Sequence, residues 1–296
     1  TREQTSADDV PASITVISSD TIKQSPIAQL SDLLRTEASL NAVQLGGIGQ
    51  QTSIFMRGTE SDHTLILRDG VRLNTDASGL ASLSFLDTTD IEQIEVLKGP
   101  ASVLYGTNAI GGVVQVISQT PKENAAFMTT ELGEHSTYKA LIGADYAEND
   151  LFLQVRGQRL ESDGTEITDH QDAQSSSYDQ KGFSFKAGLK KQDYGFSIDH
   201  TQNQGNSVYE GFNWTSNAYE IYAQDFKNTV STLKAYLQAV ENTRIESRIS
   251  RFKDELIQLQ DQEKTTYTSD EYELLLKQNL NLAHQLTFGI THKNLE

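Results

Sequence analysis

The 296-residue chain contains no cysteine, which excludes disulfides, thiolate metal sites and cysteine nucleophiles. It holds only 4 prolines and no low-complexity tract, and its charges are dispersed along the sequence. No apolar run approaches the roughly 18 residues of a transmembrane helix, so none is expected. Basic residues are in deficit: 24 Lys and Arg against 41 Asp and Glu leave a formal net charge of -17. Phosphate binding needs clustered Lys and Arg that release counterions, so a nucleic-acid partner is not expected.

Catalytic constellations are missing as well. The glycine-rich run from Gly99 to Gly106 has the wrong spacing for a phosphate loop and no Lys-Ser/Thr ending. The six histidines, His63, His135, His170, His200, His284 and His292, include no i, i+4 pair beside a glutamate, so zinc hydrolysis lacks ligands. No G-x-S-x-G elbow is present to expose a serine nucleophile. An enzyme is therefore not expected, and no cofactor is required.

What remains is a 36% hydrophobic chain, enough for two cores, with two kinds of periodicity. Residues 10–120 read as one mixed α/β domain. A strand is expected at 10–17, a turn capped by Ser19, and a helix opened by Pro26 that carries Ile27, Leu30 and Leu34 on one face. Short strands are expected at 53–56, 64–67, 94–97 and 113–117, between glycine-rich turns. From residue 125 to 296 apolar and polar side chains alternate, as in Leu151, Leu153 and Val155 against Gln154, Arg156 and Gln158.

About nine such strands are expected, joined alternately by tight turns and by long polar loops, the loops placed at 162–180, 203–229 and 255–266. Alternation alone fits a soluble β-sandwich as well as a membrane barrel. Strands of about ten residues or more, with short turns at one end and long loops at the other, favour the barrel.

The segment from Ile91 to Ile117, IEQIEVLKGPASVLYGTNAIGGVVQVI, resembles the plug of TonB-dependent outer-membrane receptors. A second block, Ile54 to Gly58 followed by Leu65 to Arg72, lies where that family places it. The resemblance implies an α+β plug domain at 10–120 followed at 125–296 by an antiparallel transmembrane β-barrel. Residues 1–9 would follow a TonB-contacting box. About nine of some 22 family strands are expected here, so the barrel is not expected to close within these residues. It also implies a bacterial outer-membrane location amid lipid and lipopolysaccharide, with uptake energised by the inner-membrane TonB complex.

Site residues follow from the same resemblance. Arg57 and Lys98 match the two plug positions that pair with barrel glutamates, and Lys98 stands where the family more often has an arginine fork. Leu45, Gln51, Thr52, Ala77 and Ser78 match apical positions that touch ligand in the cobalamin-carrying members. Asp163, Asp179 and Glu210 fall near positions that hold structural calcium there, although Lys181 stands where an aspartate is expected. The neutral apical residues favour a corrinoid over the alternative, a catecholate-type ferric siderophore, which is anionic and wants basic and aromatic contacts. A non-transporting structural or adhesive envelope protein is the reading from another class.

Overall fold

A computed structural model describes residues 13–25, 29–74, 79–83, 86, 88, 90–106, 108–170, 172–281 and 284–296. The first part is a five-stranded sheet in the order β1-β6-β7-β4-β5, with a small separate hairpin, β2-β3. Its strands are β1 (Ser13–Ile17), β2 (Asn41–Gln44), β3 (Thr52–Phe55), β4 (Thr64–Arg68), β5 (Val71–Arg72), β6 (Ile91–Lys98) and β7 (Gly112–Ser118). Strands β4 and β7 run parallel and β6 is antiparallel to β7. All five residues of β4 are buried, as expected of a central strand whose sequence, Thr-Leu-Ile-Leu-Arg, hardly alternates.

Two helices cover this sheet. In α1 (Ser19–Gln24) the N-cap is Ser18, whose hydroxyl accepts the Thr21 N–H at 3.3 Å, so the expected cap moves one residue back from Ser19. Helix α2 (Leu30–Glu37) buries Leu30, Leu33 and Leu34. Pro26 and Ile27, expected to start it, lie outside the described residues, as do residues 10–12 of the expected first strand. One turn of helix, α3 (Ser102–Tyr105), occupies part of the glycine-rich run that reads as a turn. Sequence reading also misses β2, whose polar ends hide its two apolar residues.

The second part is a single nine-stranded antiparallel sheet in strict chain order, β8 to β16, with β8 and β16 at its two edges. The strands are β8 (Ala125–Leu132), β9 (Tyr138–Glu148), β10 (Leu151–Ser162), β11 (Tyr178–Lys190), β12 (Tyr194–Asn213), β13 (Ala218–Val240), β14 (Thr243–Gln258), β15 (Glu263–Asn281) and β16 (His284–Leu295). The sheet does not close.

Its faces are inverted relative to a soluble protein. Leu151 is 49% exposed while its neighbour on the opposite face, Gln154, is 2% exposed. Phe196, Ile198, Leu233 and Leu237 likewise point outward, while Arg156, Lys186, Asp199 and Asn228 are buried on the face that wraps the first part. An apolar exterior over a polar interior is the pattern of a membrane barrel and not of a sandwich, whose apolar faces meet. Val230 and Phe252 of the wall join the core of the first part, so that core is completed by the barrel.

Two expected loops are corrected. Residues 203–213 and 218–229 continue β12 and β13, which turn only at 214–217, and β14 and β15 turn at 259–262 in place of a loop over 255–266. The 23 residues of β13 extend about 75 Å at the usual rise, well beyond an apolar band of about 25 Å. Along residues 203–213 the buried positions, Asn203, Ser207 and Glu210, are polar, so the alternation that marks a strand disappears although the ladder continues. The expected long loop at 162–180 is present as residues 163–177, pinned by a Glu166–Ser175 bridge.

Candidate functional site

The loop joining β2 to β3 is the apex of the first domain, and it meets the barrel wall directly. Its ends are tied by the Leu45 N–H to the Gln51 carbonyl at 3.0 Å, and the Gln44 side-chain amide donates to the Gly47 carbonyl at 2.5 Å. Ile48 enters an apolar patch of Leu160, Tyr178, Phe226 and Leu256 on the wall. Gly49 has φ +83°, and a Cβ there would stand 2.5 Å from the Tyr178 ring, so only glycine lets the backbone come this close. The Gln50 side-chain amide donates to the Ser207 hydroxyl at 2.7 Å, and the Gln224 amide donates to the Gly49 carbonyl at 3.4 Å.

Among the apical positions named from sequence, Leu45 is 65% exposed and Gln51 is exposed, so both side chains are open. Thr52 is buried, its hydroxyl donating to the Gln50 carbonyl at 3.1 Å, so it shapes the loop from beneath. Ala77 and Ser78 lie outside the described residues. Sequence reading missed Ile48, Gln50, Tyr178, Phe226 and Ser207. The available signal was an isoleucine set among glycines, since an apolar side chain in an otherwise polar turn has to find cover.

The 163–177 loop leans on this apex. Ile167 and Ser176 pack closely on it, 3.2 and 3.0 Å from where a Cβ on Gly46 and on Gly47 would stand. Glu210 holds the loop, accepting from the Thr168 hydroxyl and lying 2.9 Å from His170 Nε2, while His170 stacks on Tyr219 at 4.1 Å. Asp179 takes an Arg159 guanidinium nitrogen at 2.9 Å. Among the described residues no three His, Cys, Asp or Glu side chains converge as metal ligands; of the three acids named from sequence, Asp179 is engaged by Arg159 and Glu210 by Thr168 and His170.

Arg57 and Lys98 are brought together. Both line one cavity of about 430 Å³ with Ser39, Asn41, Phe55 and Glu60. Arg57 is exposed, with φ +54°, and Lys98 donates to the Ala38 carbonyl at 2.7 Å.

A second charged contact lies on the nine-stranded wall itself. Arg68, at the end of β4, pairs with Asp90 and donates to the Thr201 hydroxyl at 3.1 Å, and all three are buried. Burial disfavours the Arg68 charge, but Asp90, Asp199 and Asp69 outweigh it and hold the guanidinium above its usual range. Asp69 accepts the Ser118 N–H at 3.1 Å; burial raises its pKa, but Lys234, Lys186 and Arg68 together keep it well below the usual carboxylate range. Lys186 donates to the Ser118 hydroxyl at 2.7 Å and to the Gln119 carbonyl at 3.3 Å. Arg156 bridges Gln119 at 3.1 Å and Asp145 at 2.9 Å.

The family model of the TonB-dependent receptor plug domain matches residues 6–113. A vitamin B12 transporter BtuB of Vibrio vulnificus strain YJ016 is 45% identical over 107 residues, 36% of this chain and 18% of the relative. A second BtuB, of Vibrio vulnificus strain CMCP6, is 31% identical over 251 residues, 79% of this chain and 40% of the relative. The chain thus spans well under half the length of the curated relatives it matches. The ferric yersiniabactin uptake receptor FyuA of Yersinia pestis shares the fold with a TM-score of 0.79 at 16% identity, over 96% of this chain and 48% of that one. The ferric-catecholate import receptor Fiu of E. coli K12 gives 0.76 at 15%, over 97% and 47%.

Proposed function

The chain is the plug domain of a TonB-dependent outer-membrane receptor with the barrel strands that follow it, and from that premise we propose that the receptor takes up a corrinoid. Its family consists of receptors and transporters, not enzymes. The ligand rests on the plug apex from outside, and the TonB complex supplies the work that moves the plug. Leu45 and Gln51, together with Ala77 and Ser78, make the contacts. Arg57 and Lys98 hold the plug to acidic side chains of the barrel.

The observation that carries the corrinoid reading is the character of the apical loop. Its open side chains, Leu45 and Gln51, are neutral, its wall contacts are amide, hydroxyl and aromatic, and the loop covering it is tied to an acid, Glu210. A large, polar, uncharged surface is matched by shape and hydrogen bonds, whereas an anionic iron chelate needs cations there. The similarity to vitamin B12 transporters, which runs through plug and barrel alike, supports the same choice.

The test uses the full-length receptor in outer membranes of cells that lack their own corrinoid receptor. Labelled cyanocobalamin is expected to bind, and to enter only while TonB is present. Tight binding and entry of ferric enterobactin without any corrinoid binding would overturn the substrate. Entry that persists after removal of TonB would overturn energy coupling.

A further inference from the structure

Above the buried seam of Arg68, Asp90 and Thr201, residues 163–177 between β10 and β11 lie against the plug apex. The segment is almost wholly polar: Asp-Gly-Thr-Glu-Ile-Thr-Asp-His runs from 163 to 170, and serines occupy 175–177. Its one large apolar side chain is Ile167, which packs on Gly46. Apolar burial fixes one point of such a segment, and the rest of its ordering has to come from hydrogen bonds.

Base and tip are held differently. At the base the bonds are between backbone groups: the Ser176 N–H donates to the Thr165 carbonyl, the Val208 N–H to the Ser177 carbonyl and the Asp163 N–H to the His135 carbonyl, each at 2.9 Å. The tip is gathered on one acid of the wall. The Glu210 side chain on β12 is 4% exposed, and its Oε2 accepts from the Thr168 hydroxyl, from His170 Nε2 at 2.9 Å and from the Gln174 N–H at 3.5 Å. The Asp172 N–H donates to His170 Nδ1 at 3.3 Å, which leaves the ring proton on Nε2, facing Glu210. The neutral imidazole is thus a complete donor, and its face stacks on Tyr219 of β13 at 4.1 Å.

The acids here do not fit a calcium ion. Oε2 of Glu210 already takes three protein donors. Asp179 is held by Arg159, and Lys181 lies directly across from Arg159 in the β10–β11 register, so a divalent cation at Asp179 would meet two fixed cations.

We propose that Thr168, His170 and Gln174, closing on Glu210, form a clasp that holds the tip of the 163–177 segment beside the open Leu45 and Gln51 without a divalent cation, and that opening of this clasp sets how fast bound ligand leaves. The inference deepens the uptake reading above and rests on it for its ligand. His170 is then a positioning residue, acting through Glu210. Its loss leaves a buried carboxylate short of a donor and undoes the ring stack, while the backbone bonds at the base remain.

The test uses the full-length receptor, its His170→Ala variant and the conservative His170→Gln, whose amide can still donate to Glu210. Hydrogen exchange is followed at 167–174 without ligand, in chelator and in millimolar calcium, and cyanocobalamin association and dissociation are timed in both. In the wild type the 167–174 amides are expected to be protected equally with chelator and with calcium. His170→Ala is expected to speed exchange there and cyanocobalamin dissociation by about tenfold, the worth of one hydrogen bond to a charged group. Association and protection at 64–72 are expected to stay within about twofold, since the base and the plug are untouched, and His170→Gln to recover most of the loss.

Protection at 167–174 that appears only with calcium would overturn the clasp, as would a His170→Ala receptor whose dissociation rate stays within about twofold of wild type. A wild type that binds no cyanocobalamin under either condition would overturn the uptake reading, and with it the role in ligand release, whereas the exchange measurements still decide whether the clasp exists. Should His170→Ala fail to assemble, the wild-type comparison of chelator with calcium decides the same point: protected amides in chelator support the clasp, and unprotected ones overturn it.

Discussion

Gln50, at the tip of the plug, donates its side-chain amide to the hydroxyl of Ser207 on β12 at 2.7 Å, and both residues are buried. The bond joins positions 157 residues apart, and it sits beside Ile48, which fills the apolar patch around Tyr178 and Phe226. The apical loop is therefore docked on the barrel wall, with its outward side left to Leu45 and Gln51. A neutral bond of this kind contributes about 1 kcal/mol net. Gln50→Ala and Ser207→Ala are each expected to cost about that much in thermal unfolding of the solubilised receptor, and the double variant less than their sum. Strict additivity would show that the bond is not made.

Arg68 and Asp90 differ from this pair in kind, because both are ionic and buried. Arg68→Met leaves Asp90 buried without its cation and is expected to destabilise the receptor by about 3–5 kcal/mol. Adding Asp90→Leu is expected to recover much of that loss, since two apolar side chains replace the pair. Chemical denaturation of the three proteins checks the order. A double variant as unstable as the single one would show that the guanidinium contributes mainly through Thr201.

Asp69 sets the pH dependence of the same seam. Its folded pKa lies below its ordinary value of 3.8, so its contribution is present above that value and is lost as pH falls through the lower folded one. Stability from Asp69 is thus expected to be flat between about pH 5 and 8 and to fall only on stronger acidification. Asp69→Asn removes it at every pH. Unfolding midpoints of the two proteins are expected to differ by a constant amount above pH 5 and to converge in acid; a gap that widens as pH falls would refute the assignment.

Leu153 and Gln154 are neighbours on β10 that face opposite ways, the first exposed and the second buried against the plug. Leu153→Arg places a charge on the lipid face and is expected to cost about 2–4 kcal/mol near the bilayer midplane. Refolding into lipid vesicles, followed by heat-modifiable migration, is expected to show poor assembly. Normal assembly of that variant would mean that this face does not meet lipid.

The identity of the domains was legible in local patterns. The stretch around Lys98 to Gly112 and the alternation of Leu151, Leu153 and Val155 with Gln154 and Arg156 each lie within a few turns of chain, and each implies its element without reference to anything distant. Arg57 and Lys98 were named from the family resemblance alone, and in the fold both line one cavity. The extension of β12 past residue 203 was not legible, because its buried positions, Asn203, Ser207 and Glu210, are polar, so burial there leaves no apolar alternation.

The contacts that define the site were decided only in three dimensions. Nothing near Arg68 in the chain announces Thr201, and nothing near Asp69 announces Lys186 or Lys234. Those partners sit on three successive wall strands, and their facing positions follow from ladder registers that accumulate over the whole sheet. Sequence by itself determined which residues alternate and hence which elements form, since that is a matter of near neighbours. Which buried charge meets which was settled by how the wall packs around the plug, because a charge taken out of water is tolerated only where the folded geometry brings its counterpart.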